Sequence, residues 1–422
     1  MSRWRTALGN PWCFAWGIVW IATSALVAFR STELDKCYLK AAHRFVEGAD
    51  IYRPTTDGVG LWPYPPAMVL TVAPLAWVPE WMARVVWSGV VAASLVVAAW
   101  AITRAALAGV SNSHQRLQRV TALVTTGLLS HQLVLSPLTY QSHDPLIAAG
   151  MGLALVAAMA RREVLAGIFL GAIGALKVTP LLFAPALALA RRWRAVIAMV
   201  AAAAALSFLP DALRLDGEGA LSRSFSSIVQ SASNPAKAGG GYWHDWNPLA
   251  QNLSATITRL TVPTPPGDRE INARDWSVVH LSEKARGVAI ISGQCVVLTA
   301  VLVVVGFVHH RRPRPPSPLQ LLTESGAIAC GMLLLSPHSS NYHFAIEAFA
   351  VAPCIVLAIE RRDRCLIALV CVLGLLGLPS GRDLIGNYAV DALLICGKLT
   401  LGACVALAGC VRAAWLLRSD AA

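Results

Sequence analysis

The sequence predicts an all-α polytopic membrane protein with about twelve transmembrane helices. Of its 422 residues, 56% are hydrophobic and only 14% are charged, whereas a soluble domain carries about a quarter of charged residues. The apolar residues form long blocks rather than one-sided helical stripes, and such blocks need lipid or a large core around them. Short arginine clusters separate many of the blocks, which is typical of a chain that crosses a membrane repeatedly.

The charge and the cysteines argue against several other classes of protein. The net charge of +12 could indicate a nucleic-acid partner, but the basic residues lie in short clusters and not in one aromatic-rich patch. Most of the ten cysteines lie inside apolar blocks, without a Cys-x-x-Cys pair, so we interpret them as packing residues and predict no metal. A P-loop, a nucleophile elbow and a Gly-x-Gly-x-x-Gly motif are absent, so nucleotide hydrolysis is not supported, and no cofactor is predicted.

Twelve apolar blocks are predicted to cross the bilayer. They are Trp12–Phe29, Ala83–Thr103, Val120–Val134, Pro145–Ala160, Val164–Leu176, Pro180–Ala190, Ala195–Leu209, Gly287–Val308, Leu319–Leu335, His343–Ile359, Cys365–Leu378 and about Tyr388–Leu416. A further block, Ala67–Val78, is short and bounded by Pro65, Pro66 and Pro79. Because an upright crossing needs about 20 residues, this block is predicted to be an interfacial or re-entrant helix.

The arginine clusters predict the orientation. With twelve crossings, seven basic clusters fall on the cytoplasmic side, namely Arg3/Arg5, Arg104/Arg116/Arg119, Arg161/Arg162, Arg191/Arg192/Arg194, Arg311/Arg312/Arg314, Arg361/Arg362/Arg364 and Arg412/Arg418. If Ala67–Val78 crosses as well, the second of these clusters lies outside, so both alternatives stay open. We expect one membrane domain, residues 1–422, with multiple passes through the inner (plasma) membrane of the cell.

Two outer loops are long enough to have structure of their own. In the first, residues 30–66, apolar residues recur at helical spacing along Asp35–Gly48 while charged residues take the other face. This pattern predicts an amphipathic juxtamembrane helix in the headgroup plane that ends at Gly48. The second, residues 210–286, is rich in glycine and proline, so partial order is expected rather than a separate domain.

Asp35 and Lys177 are the first candidates for chemistry. Asp35 comes where the amphipathic helix begins, so it is either an N-terminal helix cap or a general base at the membrane surface. Lys177 is the one charged residue within Val164–Ala190, and it precedes Pro180, so two half-length helices are expected to meet there. The lysine either reaches to the interface or supplies a point charge for a phosphate.

Polar residues of other outer segments are further candidates. Gln141, His143 and Asp144 share one turn, where Asp144 either caps the next helix or belongs to a site. His338 and His343 lie in one polar tip and could bind an anion or transfer protons.

The segment Gly241–Pro248 combines aromatic residues with a carboxylate and an amide: Trp243, Asp245 and Asn247. It suits sugar stacking and an interfacial aromatic belt equally well. Together, the candidate groups reach the same side of the membrane, which suits a lipid-linked phosphate substrate.

The order of these stretches resembles glycosyltransferase family 87, which includes polyprenyl-phosphate-mannose-dependent mannosyltransferases. The resemblance spans most of the chain and is carried by Asp35–Tyr52 with Tyr64-Pro65-Pro66, by Tyr140–Asp144, by Ala175–Leu182 and by Leu335–His343. These are similar to the family's Asp…Asp-Leu-Tyr with Tyr-Pro-Pro, Gly-Gln-x-Asn, Lys-x-x-Pro, and Ser-Pro plus His patterns. Asn247-Pro248 with Gln251 is weakly similar to an Asn-Gln-Ser-Leu stretch. Tyr140 and His143-Asp144 depart from the family's Gly and Asn.

The resemblance implies a GT-C-type fold and an inverting, metal-independent transfer of a sugar, mannose above all, from a polyprenyl-phosphate donor to a glycolipid or glycan acceptor. It implies that Asp35 is the general base and that Lys177, His343 and Arg44 stabilise the donor phosphate. The remaining candidates are assigned to substrate binding: Tyr38, Tyr64, Gln141, His143, Asp144, His338, Trp243, Asp245, Asn247 and Gln251.

Two other hypotheses remain at this point. A lipid or solute transporter or flippase could use the broken helix at Lys177 as a half-helix binding site, although repeated halves are not evident in the sequence. A structural assembly subunit would tolerate substitution of Asp35, Lys177 and His343.

Overall fold

The structure is a computed structural model, which describes residues 34–52, 62, 64–110, 112–213, 247–263, 277–309, 315–378 and 382–419. In these residues the chain forms α-helices and short π- and 3-10-helical turns, without a strand. The predicted block Trp12–Phe29 and most of the 210–286 loop lie outside the described residues.

The helices are numbered in chain order. They are α1 (Leu39–Val46), α2 (Ala67–Val72), α3 (Glu80–Leu107), α4 (Ser113–Leu129), α5 (His131–Tyr140), α6 (Asp144–Met159), α7 (Glu163–Leu176), α8 (Phe183–Leu189), α9 (Trp193–Leu213), α10 (Leu253–Thr261), α11 (Glu283–His309), α12 (Pro318–Leu335), α13 (Ala348–Arg361), α14 (Arg364–Leu376), α15 (Arg382–Ile395) and α16 (Lys398–Ser419). A π-helical turn, Leu34–Tyr38, precedes α1, and 3-10 turns occur at Ala73–Trp77, Thr179–Leu182 and Asn341–Glu347.

The long helices carry outward apolar faces that suit a lipid environment. Six segments among the described residues are long and apolar enough to cross a membrane: Glu80–Leu107, Trp193–Leu213, Glu283–His309, Pro318–Leu335, Asn341–Arg361 and Lys398–Arg418. On α9 and α11, Ile197 and Val296 are each 68% exposed, which water disfavours and hydrocarbon does not. The chain is thus an all-α, multi-pass membrane protein, and the total of twelve crossings stays a prediction.

Helix α12 lies at the centre of the bundle. Its residues from Leu319 to Leu334 are all buried, and it packs against α11, α13 and α16. A second apolar cluster lies at one end of the bundle, around the π-helical turn and the start of α3.

Two predicted blocks have wrong boundaries. The block at Tyr388–Leu416 is two helices, α15 and α16, because Gly397 has a positive φ of 74° and packs so closely on Thr256 that a Cβ there would lie 2.8 Å from the threonine Oγ1. The block at Val120–Val134 is broken at Ser130, where α4 ends and α5 begins one residue later. The long loop is also shorter than residues 210–286, since Pro210 lies inside α9 and Arg286 inside α11.

Glycines bring α7 and α9 into close contact. A Cβ on Gly167 would collide with the carbonyl of Ala195, and one on Gly171 would collide with that of Met199. Four residues further along α7, the contact on α9 is also four residues further along, so α7 and α9 run parallel. The intervening residues 177–190 therefore return the chain to the starting end of the pair, through a 3-10 turn and the short helix α8.

The two ends of the bundle differ in chemistry. At the arginine end, Arg119 Nε lies 2.5 Å from Glu360 Oε1, and Arg412 lies 2.6 Å from Asp363. The opposite end holds Asp35, Asp144, Lys177 and His343, and we call it the site end. Both ends of the segment 64–84 lie at the site end of the bundle. The Tyr64 ring packs on Tyr38, and Arg84 pairs with Asp35. This placement favours the alternative in which Ala67–Val78 does not cross.

Candidate active site

Asp144 is the centre of a buried polar cluster at the site end. It is the first residue of α6, and its Oδ1 accepts a hydrogen bond of 2.8 Å from Lys177 Nζ. Its Oδ2 lies 3.4 Å from His343 Nε2. The Asp144 side chain is 4% exposed and that of Lys177 is 15% exposed, so an unpaired charge at either position would be costly. The carboxylate thus has a charged partner, beyond any effect at the helix N-terminus.

Local sequence explains why Asp144 and Lys177 meet. Gln141 ends α5 in the left-handed conformation, with φ of 52°, and Pro145 is well suited to the first turn of α6. At the other position, α7 ends at Leu176 and Lys177 is extended, ahead of the 3-10 turn that contains Pro180. Since α6 and α7 are consecutive and antiparallel, the start of one lies beside the end of the other.

His343 is oriented by the backbone of its own turn. The Ser340 N–H donates a hydrogen bond of 2.9 Å to His343 Nδ1, so the neutral ring carries its proton on Nε2, the atom that faces Asp144. His338 lies half-buried in the same loop, and Ser336 Oγ accepts its N–H at 3.2 Å. Burial lowers the pKa of His338 to about 4, and the Lys177 charge acts in the same direction. His338 is therefore neutral at physiological pH.

An aromatic cluster lies beside the Asp144 centre. The Tyr38 ring makes edge contacts with four other rings, those of Trp62, Tyr64, Trp87 and His143. Tyr38 Oη lies 3.0 Å from His143 Nδ1 and also accepts the His143 backbone N–H at 3.3 Å. Burial lowers the pKa of His143 to about 4, an effect that Lys177 supports and Asp144 opposes. Tyr38, Tyr64 and His143, all predicted substrate-binding residues, thus pack against one another in one cluster.

Gln141 is held by α3. Its side-chain Nε2 donates a hydrogen bond to Ser88 Oγ at 2.7 Å. Its backbone carbonyl accepts the Trp87 indole N–H, also at 2.7 Å. These bonds fix the turn that carries His143 and Asp144. They indicate that Gln141 stabilises this turn. Contact between its side chain and a substrate stays a prediction.

Asp35 occupies the rim of the cluster. Its Oδ1 accepts a hydrogen bond of 3.0 Å from Arg84 Nε, and Arg84 also contacts Glu80. Asp35 precedes Tyr38 by three residues on the π-helical turn, which places it next to the aromatic cluster. Its side chain is 14% exposed, more than that of Asp144. Arg44 is half-buried on α1, and its assignment to the donor phosphate stays a prediction.

Asn247 and Gln251 lie in a loop that is fastened to its neighbours. The Gln251 N–H donates to the Ser339 carbonyl at 2.6 Å, and its side chain donates to the Leu394 carbonyl at 2.6 Å. The fully buried Arg259 donates to the Asn247 carbonyl at 2.9 Å. This loop therefore supports the turn that bears His338 and His343. The other two candidates of this region, Trp243 and Asp245, lie outside the described residues.

Several members of the site were missed in the sequence. Arg84, Trp62, Trp87 and Arg259 were not singled out, although each contacts a predicted residue or its loop. The sequence did carry a signal for Arg84. It is a charged residue near the start of the apolar helix α3, at the end opposite the basic cluster that begins with Arg104. In the described part of the chain, no three His, Cys, Asp or Glu residues are placed to hold a metal ion.

A comparison with protein-family models matches the glycosyltransferase family 87 model to residues 62–337, which is more than half of the chain. The match covers Tyr64, His143, Asp144 and Lys177, while Asp35 lies before its start and His343 lies after its end. No curated protein matches the sequence. The cluster at the site end and the family match lead to one conclusion: the chain belongs to glycosyltransferase family 87 and is a membrane glycosyltransferase.

Proposed function

We propose that this enzyme transfers a sugar, mannose in the first instance, from a polyprenyl-phosphate donor to a glycolipid or glycan acceptor at the outer face of the plasma membrane. One observation carries the proposal. An acid, a lysine and a histidine from three distant stretches, Asp35, Lys177 and His343, are gathered at the same end of the helix bundle. A lipid-linked donor reaches such an end from the bilayer, and its phosphate then meets cationic and hydrogen-bonding groups.

In this mechanism, Asp35 takes the proton from the acceptor hydroxyl. The acceptor oxygen forms its bond to the anomeric carbon while the bond from that carbon to the phosphate oxygen breaks. Polyprenyl phosphate leaves with the electron pair, and Lys177 and His343 stabilise the added negative charge. A single displacement inverts the anomeric configuration and needs no covalent enzyme intermediate.

The partners of Asp35 support its assignment as the base. Arg84 Nε holds one carboxylate oxygen at 3.0 Å, which fixes the orientation of the group. Asp144 is less suitable, because Lys177 occupies its Oδ1 and the side chain is almost fully buried. A base has to reach the hydroxyl that it deprotonates.

The arginines support an outer location for the site. Arg161 and Arg162 precede α7, whose other end carries Lys177, and Arg191 and Arg192 precede the parallel helix α9. Since basic residues favour the cytoplasmic side, the site end faces outward.

The test is transfer by purified enzyme in proteoliposomes with a radiolabelled polyprenyl-phosphate sugar. We expect Asp35→Asn to lower the rate roughly 100-fold or more, as expected for loss of a general base. The matched control is Glu47→Gln, an exposed acid in the same segment, which should transfer at the wild-type rate. Near wild-type transfer by Asp35→Asn would rule out the base assignment.

Separate arms test the donor and the stereochemistry. Mannosyl and arabinosyl polyprenyl phosphates are compared with a nucleotide sugar, and direct use of the nucleotide sugar by wild-type enzyme would overturn the donor class. A product with the donor's own anomeric configuration would overturn the single displacement. Lipid uptake without transfer would favour a transporter.

A further inference from the structure

We propose that Asp144 is a positioning residue, which holds Lys177 in place for the donor phosphate and does not itself contact the sugar or the acceptor. The inference rests on the proposed function and reassigns Asp144 within it.

Both oxygens of the Asp144 carboxylate face groups of the protein. Oδ1 accepts from Lys177 Nζ at 2.8 Å, and Oδ2 faces His343 Nε2 at 3.4 Å. The side chain is 4% exposed, whereas Lys177 is 15% exposed. The Lys177 side chain is thus the more exposed member of the pair, and the Asp144 carboxylate is the less accessible one.

Lys177 needs such a partner to keep one position. It lies beyond the last turn of α7, in an extended conformation, and its side chain is long and flexible. An ammonium has three N–H donors, and Asp144 engages one of them. The others are available to phosphate oxygens, so one carboxylate can orient the lysine without blocking it.

His343 reaches the same carboxylate from the other side. Its ring is held at Nδ1 by the Ser340 N–H, which leaves Nε2 toward Asp144. At 3.4 Å this contact is electrostatic rather than a short hydrogen bond. Asp144 consequently lies between the two groups that are proposed to receive the charge of the leaving phosphate.

The experiment is a double-mutant cycle on kcat/KM for the polyprenyl-phosphate donor. It compares wild-type enzyme, Asp144→Asn, Lys177→Met and the double variant in proteoliposomes. If Asp144 acts through Lys177, Asp144→Asn lowers donor kcat/KM roughly 10- to 100-fold, as for a misplaced group. It leaves the acceptor KM unchanged, and the double variant is no slower than Lys177→Met alone. Glu163→Gln, at the other end of α7, is the control and should behave as wild type.

Three outcomes would overturn the inference. They are losses that multiply in the double variant, a higher acceptor KM in Asp144→Asn, and a higher donor kcat/KM in that variant, which would mean that the carboxylate only repels phosphate. Should Asp144→Asn not fold, the double variant removes both charges together and is better tolerated. In that case, donor kcat/KM of the double variant is compared with that of Lys177→Met, and a slower double variant overturns the inference. Absence of transfer by wild-type enzyme would instead refute the proposed function, so the two failures are distinguishable.

Discussion

The close contact between α7 and α9 gives a prediction about stability. A methyl group on Gly171 would collide with the Met199 carbonyl, lie 2.8 Å from Ala202 Cβ and lie 3.0 Å from the Ala203 nitrogen. Two of these neighbours are backbone atoms, which cannot rotate away. Gly171→Ala must therefore separate the helices, as in membrane helix pairs that depend on small residues.

The magnitude follows from two opposing effects. Alanine stabilises a helix over glycine by about 1 kcal/mol, whereas overpacking a tight contact costs about 1–3 kcal/mol. Because two of the colliding neighbours at Gly171 are backbone atoms, the cost should lie near the upper end of that range, which leaves a net loss of about 2 kcal/mol. Gly127 in α4 has no atom within 4 Å of the position that a methyl group would take, so Gly127→Ala keeps only the favourable effect.

The assay is reversible unfolding in mixed micelles, followed by circular dichroism, with transfer measured in parallel. We expect Gly171→Ala to unfold at lower denaturant than wild type and Gly127→Ala to match or exceed wild type. Because α7 carries Lys177 at its end, Gly171→Ala should also lower transfer. A Gly171→Ala enzyme as stable as Gly127→Ala would refute the reasoning.

Three further predictions concern the site and its supports. Arg84→Gln should lower transfer about tenfold by releasing Asp35, and kinetics that equal wild type would contradict this. The contribution of His143 to the free energy of unfolding should be constant above about pH 6.5 and fall from there towards pH 4, because burial lowers the pKa of His143 to about 4 and the unfolded chain takes up the proton first. His143→Gln should flatten this dependence in a pH series of unfolding curves, whereas the exposed His114→Gln should not. Arg259→Met should cost about 3 kcal/mol in the same unfolding assay, since it strands buried carbonyls, and an unchanged midpoint would contradict that role.

Much of the helical framework was predictable, because lipid demands long apolar stretches and tolerates few exceptions. Lys177 and Pro180 are such exceptions, and α7 ends at Leu176 as their spacing predicts. The start of α4 was not predictable in this way. Its first turns contain Arg116 and Arg119, which resemble a loop, yet Arg119 pairs with Glu360 and so belongs to the packed bundle.

The candidate polar turns were predicted to lie together, and the described ones do lie at one end of the helix bundle, but their pairings were not predictable. Asp144, Lys177 and His343 come from three separate segments, and local pattern carries no record of which side chains meet. The same limit concealed the Arg84 partner of Asp35. The family resemblance led to the prediction that Asp35 is the base, while the place of Asp144 between a lysine and a histidine is visible only in the folded chain.

The hydrogen bonds from Arg259 to backbone carbonyls have a consequence for which substitutions the neighbouring loops can tolerate. Arg259 binds the carbonyls of Asn247, Ala250 and Ile395, and Gln251 binds those of Ser339 and Leu394. These bonds engage main-chain atoms, which every amino acid supplies. Substitutions in the fastened loops can therefore alter their outward side chains while the loop paths persist. A few buried donors thus maintain the geometry of these loops with little dependence on the sequence of the loops themselves.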